Sequence, residues 1–546
     1  MTPFQSAACR LAPFALFVIS ASAPTGAAET SYPVFGILQV DPELQGTEFQ
    51  LKGRETFEPI RQYKLIYTGD GPALQAVRDA KLQYEFDVPV IVYMGGFTTN
   101  PGGAAVIDRD YRGAVAMLDV ATLADGVDAK GVELRVAMPE DRELPIKAST
   151  ADTADPDDKS RYCFWIRVDE ERMKVIAADE ETGRLTVERG FESKGAAHDQ
   201  GAVVLAPVYL GSRDDLTAVR HSNSWPGGPD YLRYALDPAS EEAQRFKADL
   251  IIELMQSGYD GAWLDTFQPS MFNLCDALGR RIRYFWDFRQ GRRHDFESGV
   301  SALQEMLRGV RQRVKNAAGR EPYLAANSCS SSYDRGGKEL FSAPERPGLL
   351  DAYCFEDSYI TPKAARVKGR KLNAAYHPVA PDRWLRNVNN QADAARSGLR
   401  GLCMMGPAGY VAAYINPSLP NYEQLIRFSW CSFLLTVTKE RTTCFGLPFL
   451  ITTRDDGIGF LPLPDLFSYP IGDPVDEGTI ESLKVPCTNC YLRRFANGLV
   501  AVNPSAAGQT ESVAIPDGYV DPKTREAVSQ VDLDGGDAAL LVKADG

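Results

Sequence analysis

The chain has 546 residues, 44% of them hydrophobic, and a formal net charge of −14 at pH 7. That length accommodates a full (β/α)8 barrel of about 250 residues with one or two smaller modules beside it. The acidic balance argues against a nucleic-acid partner, which needs basic surface to meet phosphate, and leaves a neutral ligand such as a sugar open.

Residues 1–28 carry one charge, Arg10, then an apolar stretch from Leu11 to Ile19 and small residues ending Gly26-Ala27-Ala28, the pattern of a secretory signal peptide cleaved after Ala28. The apolar run is too short for a bilayer, and no later segment reaches the roughly 20 apolar residues of a spanning helix. The expected product is secreted or periplasmic, with no integral membrane span.

Eight strand candidates follow: Val34 to Val40, Lys64 to Tyr67, Pro89 to Gly95, Gly261 to Asp265, Tyr323 to Asn327, Leu350 to Glu356, Lys371 to His377 and Gly401 to Gly406. Helical patterns lie between most of them, including Ala73 to Phe86, Glu241 to Ser257, Ser298 to Ala318 and Trp384 to Gly398, with Tyr422 to Val437 after the last. Strands alternating with helices predict an α/β chain with a parallel sheet, and eight units predict closure into a (β/α)8 TIM barrel over residues 29–116 and 208–450. The second strand and the connection between the sixth and seventh carry the weakest patterns.

Residues 117–207 differ in texture. Short β-rich runs (Tyr162 to Val168, Met173 to Ala177, Leu185 to Arg189, Ala202 to Val208), separated by turns such as Glu181-Thr182-Gly183, predict a small antiparallel β module inserted after the third strand. Its segment from Asp169 to Val204, with Arg189-Gly190 and Ala196-Ala197-His198, resembles a short β repeat common in phage-tail and surface proteins, which implies a structural or binding role. Residues 451–546, with alternating runs at Tyr491 to Ser505, Glu511 to Pro516 and Asp537 to Val542, predict a C-terminal β-sheet domain docked tightly on the barrel.

The pattern with most chemical content is Gly258-Tyr-Asp-Gly-Ala-Trp-Leu-Asp265, a buried strand ending in a carboxylate. Barrel chemistry sits at the C-terminal strand ends, where the βα loops converge. A second acid, Glu356, ends Asp351-Ala-Tyr-Cys-Phe-Glu356. Two acids facing each other across a barrel mouth are what glycosidic hydrolysis needs, one protonating the leaving oxygen and the other attacking or activating water. Glu356 is the expected general acid and Asp265 the nucleophile or base. Asp357, next to Glu356, competes for the acid role, although successive strand residues point to opposite faces. Asp260 reads as a turn residue bonding its own backbone. Asp41, Tyr93, Trp263, Trp286, Asn327, Asp357 and His377 are expected to contact substrate, and the long segment Gln268 to Phe296 to overhang the site.

Other chemistries lack an anchor. There is no GxSxG elbow and no HExxH, and four His leave a catalytic zinc without its usual ligands, so neither metal nor cofactor is expected. Of ten Cys, several, such as Cys354 and Cys403, sit in apolar strand contexts and read as buried free thiols, and Cys487-Thr-Asn-Cys490 is a lone CxxC that reads as a local disulfide or two unbridged thiols.

On these residues the chain resembles the (β/α)8 glycoside hydrolase superfamily. It is most similar to bacterial glycosyl hydrolases whose fourth strand reads GxDGxxxD and whose C-terminal sheet carries RxFxNGxVxVNP, here Arg493-Arg-Phe-Ala-Asn-Gly-Leu-Val-Ala-Val-Asn-Pro504. Endo-α-polygalactosaminidase-type barrels share the first motif. The resemblance covers Tyr32 to Arg112 and Tyr209 to Lys543 and implies a catalytic carboxylate at Asp265 and a sixth-strand acid at Glu356. The expected activity is hydrolysis of a poly- or oligosaccharide. The contrasting expectation, a carbohydrate-binding or surface-assembly protein on a barrel that has lost turnover, predicts glycan binding that is indifferent to both carboxylates.

Overall fold

The structure, a computed structural model, describes residues 32–40, 53–68, 71–96, 113–137, 144, 146, 148, 165–179, 181–191, 193–210, 234–265, 267, 274–276, 280–329, 333, 349–356, 358–367, 370–405, 421–454, 457–460 and 463–544. Eight parallel strands close into a barrel in chain order: Val34–Val40, Tyr63–Thr68, Val90–Gly95, Gly261–Asp265, Tyr323–Cys329, Ala352–Glu356, Gly401–Met404 and Cys444–Arg454. The eighth pairs with the first from Val34↔Phe445 to Val40↔Ile451, which completes the closure. An extra antiparallel strand, Gly457–Phe460, lies on the eighth.

One expected strand is corrected. Lys371 to His377 belongs to Arg370–Pro378, an arm of a two-stranded antiparallel hairpin with Ile360–Val367, and takes no part in the barrel. A hairpin arm and a barrel strand are both extended and alternate at period two, so pattern alone does not separate them. The seventh barrel strand is therefore Gly401–Met404. The eighth, Cys444–Arg454, was hidden by Gly446 and Pro448, residues that ordinarily argue against an interior strand. Gly446 has a packing reason, since a Cβ there would stand 2.4 Å from the Phe35 ring inside the barrel.

Helices Glu241–Gln256 and Phe296–Ala318 flank the fourth strand and pack on each other. The second is bounded by local chemistry. Asp295 and Ser298 form a reciprocal capping box at its start, and Gly319, at φ 71°, ends it in the left-handed conformation that glycine adopts without strain. Apolar residues three and four apart (Leu303, Met306, Leu307, Val310, Val314) press against Ala262, Leu264, Leu324 and Ala326, the outward face of the fourth and fifth strands. The alternate residues, Trp263 and Ala325, turn inward. Gly261 begins the fourth strand because a Cβ would fall 2.0 Å from the backbone oxygen of Tyr323.

The insert is a closed six-stranded antiparallel barrel in the order Met117–Leu123, Glu133–Ala137, Arg184–Glu188, Glu171–Asp179, Trp165–Val168 and Val203–Pro207. The C-terminal region forms a four-stranded antiparallel sheet and a two-stranded ribbon. It docks through Arg493, the first residue of the second motif. This guanidinium is 7% exposed and donates to the carbonyls of Leu434, Leu435 and Val437 at the end of helix Tyr422–Leu434, at 3.1, 2.8 and 2.8 Å. A cation on the last carbonyls of a helix also meets its negative end. The motif residue therefore ties the sheet to the barrel and has no part in the site. Arg493→Ala should leave three carbonyls without this donor and cost about 3 kcal/mol in urea unfolding.

Candidate active site

In-register residues of parallel strands point to the same side. Asp265 pairs with Gly95, Trp263 with Tyr93 and Ala325, Asn327 with Cys354, and Cys329 with Glu356. Asp265, Asn327 and Glu356 thus share the inward face at the C-terminal ends of the fourth, fifth and sixth strands, and each carboxyl-bearing residue is partly exposed there. Asn327, 2% exposed, donates its Nδ2 to Glu356 Oε1 at 2.6 Å. A donor on one oxygen fixes the plane of that carboxyl. The sequence suggested Asn327 as a substrate contact, whereas here it also orients the acid beside it. Tyr93 is 37% exposed although it faces inward one pair below the strand end, so the mouth is an open basin.

The floor of that basin is aromatic. Tyr67 from the second strand lies flat on Trp263, with ring centroids 3.7 Å apart and an interplanar angle of 6°, and Phe35 packs 6.2 Å from both. Trp263, expected to contact substrate, is fully buried in this floor. The Tyr67 hydroxyl donates to Met404 Sδ at 3.8 Å. Burial pushes this phenol well above its usual range, and Cys354, Glu356, Tyr93 and Asp265 add to the effect, so it sits within the field of both acids. The weak pattern of the second strand concealed it. Behind the site, Lys247 of helix Glu241–Gln256 is buried and donates to the Gly95 carbonyl, and desolvation lowers its ammonium to about 7.

Other sequence-predicted residues lie elsewhere. Trp286 packs against the small cluster of Val115, Met117, Trp165, Leu205, Tyr209 and Tyr234, between the barrel and the insert. Its hairpin, Trp286–Asp287 with Arg292–Arg293, clamps the insert. Arg293 bonds Asp119, and Arg167 stands 4.4 Å over the Phe288 ring. His377 is exposed on the hairpin after the sixth strand, with Nδ1 2.9 Å from the Pro378 carbonyl oxygen. Asp41 and Asp357 lie outside the described residues. Asp260 binds Lys81, the Val90 amide at 2.7 Å and Arg320 at 3.3 Å, at the end of the barrel opposite the mouth; it ties neighbouring elements together where its own turn was expected. Among the described residues, no group of three or more His, Cys, Asp or Glu could hold a metal ion. Cys487 and Cys490 are free thiols, as are Cys354, Cys403, Cys431 and Cys444.

A second acidic cluster lies under the clamp. Asp237, 4% exposed, accepts from the Ala239 amide at 2.9 Å, and burial, opposed by that amide and reinforced by Asp287, raises its carboxyl to about 7. A carboxyl raised from 3.8 to about 7 gives stability that is complete below pH 3.8 and is lost as pH rises through 7. Asp237→Asn should flatten that decline, read as melting temperature from pH 4 to pH 8.

No family model and no curated protein matches the sequence. Solved structures that resemble it are glycoside hydrolases. The glycoside hydrolase domain of PelA from Pseudomonas aeruginosa, in a variant form, matches at 12% identity and a TM-score of 0.30, covering 76% of this chain and 94% of its own. The GH31 dextranase FjDex31A of Flavobacterium johnsoniae, complexed with glucose, matches at 11% and 0.40, covering 95% of this chain and 52% of its own. The debranching enzyme of Nostoc punctiforme matches at 12% and 0.37, covering 95% of this chain and all of its own. Likenesses this distant carry no argument about chemistry, and the barrel stands on its own strand order.

Proposed function

We propose that the chain is an exported glycoside hydrolase that cleaves a poly- or oligosaccharide with Asp265 and Glu356, without a metal. The observation that carries this reading is the pair itself: two partly exposed acids on the inward face of one barrel, at the C-terminal ends of its fourth and sixth strands, with Asn327 of the intervening strand orienting Glu356. Glu356 would protonate the leaving oxygen, and Asp265 would attack the anomeric carbon or activate water. Tyr93, exposed in the basin, offers a face against a sugar ring.

The test is reducing-end release from a panel of microbial and plant polysaccharides, with wild type beside Asp265→Asn. Release by wild type alone names the substrate class. Equal release by both proteins would remove Asp265 from the mechanism. Binding to one glycan with no release from any would favour a non-catalytic glycan-binding protein.

A further inference from the structure

Away from the barrel axis, a cleft of about 300 Å3 opens between the first turn of helix Pro381–Arg396 and the C-terminal sheet. Its apolar floor is formed by Trp384 and Tyr491, whose rings pack 5.0 Å apart and whose surfaces are almost wholly covered. Its rim carries Asp382, Lys484, Asn489 and Gln509. Trp384 donates its Nε1 to Ser432 at 2.9 Å, which locks the floor. Asn489 is held from one side, its Nδ2 donating to Glu511 at 2.9 Å.

The position matters as much as the lining. Barrel helices run antiparallel to the strands, so the start of this helix lies on the mouth side. The chain reaches it directly from the hairpin Ile360–Val367/Arg370–Pro378, which rises from the end of the Glu356 strand. The C-terminal domain closes on the same corner, since Gln424 Nε2 donates to the Gly536 carbonyl at 3.2 Å and Gly536 lies against Pro378. The first turn that lines the cleft therefore lies at the mouth end of the barrel, on the side of the sixth and seventh strands.

We propose that this cleft is a second saccharide-binding site, which holds a neutral stretch of polymeric substrate while another part of the chain lies in the mouth. The rim pairs one carboxylate with one ammonium and adds two carboxamides, so it presents donors and acceptors without the single sign of charge that would select phosphate or a polyanion. The reachable apolar surface is that of Pro381 and Leu385, which stand over the covered Trp384 and Tyr491 rings, so a sugar ring would meet C–H partners there and hydroxyl partners at the rim. The substrate class rests on the functional reading given above. The site is a property of the two domains together.

Cellotetraose, maltotetraose and chitotetraose would be titrated by NMR into the full-length Asp265→Asn protein, and into the same protein carrying Asn489→Ala with Gln509→Ala. Both added substitutions lie on exposed rim positions and leave the fold in place, which circular dichroism checks. One tetrasaccharide should bind the Asp265→Asn protein and lose about tenfold or more in affinity with the rim changes. In the otherwise wild-type enzyme, the rim changes should raise KM for the polymer and leave hydrolysis of a tetrasaccharide unchanged. Binding to none of the three, or binding indifferent to the rim, would overturn the proposal while leaving the hydrolase reading intact. Rim-dependent binding without hydrolysis of any polymer would do the reverse.

Discussion

Asp265→Asn and Glu356→Gln are each expected to lower turnover by about a hundredfold to ten-thousandfold, with the fold unchanged. The two losses should differ in kind. A substrate with a good leaving group, such as a dinitrophenyl glycoside, needs little protonation, so it should recover most of its rate in the variant that lacks the acid and none in the variant that lacks the nucleophile or base. Recovery in Glu356→Gln would assign the acid to the sixth strand; recovery in Asp265→Asn would exchange the roles. Asn327→Ala should give a smaller loss, because it frees the plane of the Glu356 carboxyl without removing it. Wild-type rates in either carboxylate variant would refute the pair, and Asp357 would be the next acid to test.

The second large effect is on stability and belongs to the insert. Glu171 is 1% exposed and accepts from Arg189 Nε and Nη2 at 2.8 and 2.7 Å, from the Gly190 and Ala196 amides at 2.9 Å each, and faces His198 Nε2 at 2.9 Å. The other ring nitrogen of His198 stands 2.7 Å from Asp169. Burial alone would raise the Glu171 carboxyl, but Arg189, the two amides and His198 outweigh it and hold it at about 2. Glu171→Ala would strand Arg189 and His198 inside the module and should cost about 3–5 kcal/mol. A carboxyl lowered from 4.5 to about 2 contributes stability that is complete above pH 4.5 and disappears as pH falls toward 2. Wild type should therefore lose the insert's β signal in acid before the barrel's, and Glu171→Ala should lack that early step. A single acid transition shared by both proteins would show that Glu171 is not the tie.

The same residues explain what the sequence could and could not disclose. The fourth strand was legible because an amphipathic helix, a glycine turn and a short apolar run ending in Asp265 leave one reading. The sixth was legible from its own short apolar run, Ala352 to Phe355, with Glu356 at its end. Register across strands is not written in any one of them, so Asn327 could be placed near the site but its bond to Glu356 could not. Tyr67 sits in a short run whose flanks gave little signal, and only closure of the barrel brings it onto Trp263. Trp286 illustrates the converse. An aromatic in a long segment after the Asp265 strand reads as a lid, yet its partners are Met117 and Trp165 from a module inserted far upstream. His198 and Arg189 looked like parts of a repeat, and their shared carboxylate appears only when the small barrel closes.

The stack of Phe35, Tyr67 and Trp263 also decides how material moves. Among the described residues these three rings fill the barrel axis below the mouth, so in the proposed reaction the reactant, water and both fragments would share the mouth. Under the proposed activity a long glycan would not thread the barrel but would lie across the rim as a strap and be cut where it dips, and whichever fragment left last would block the next encounter.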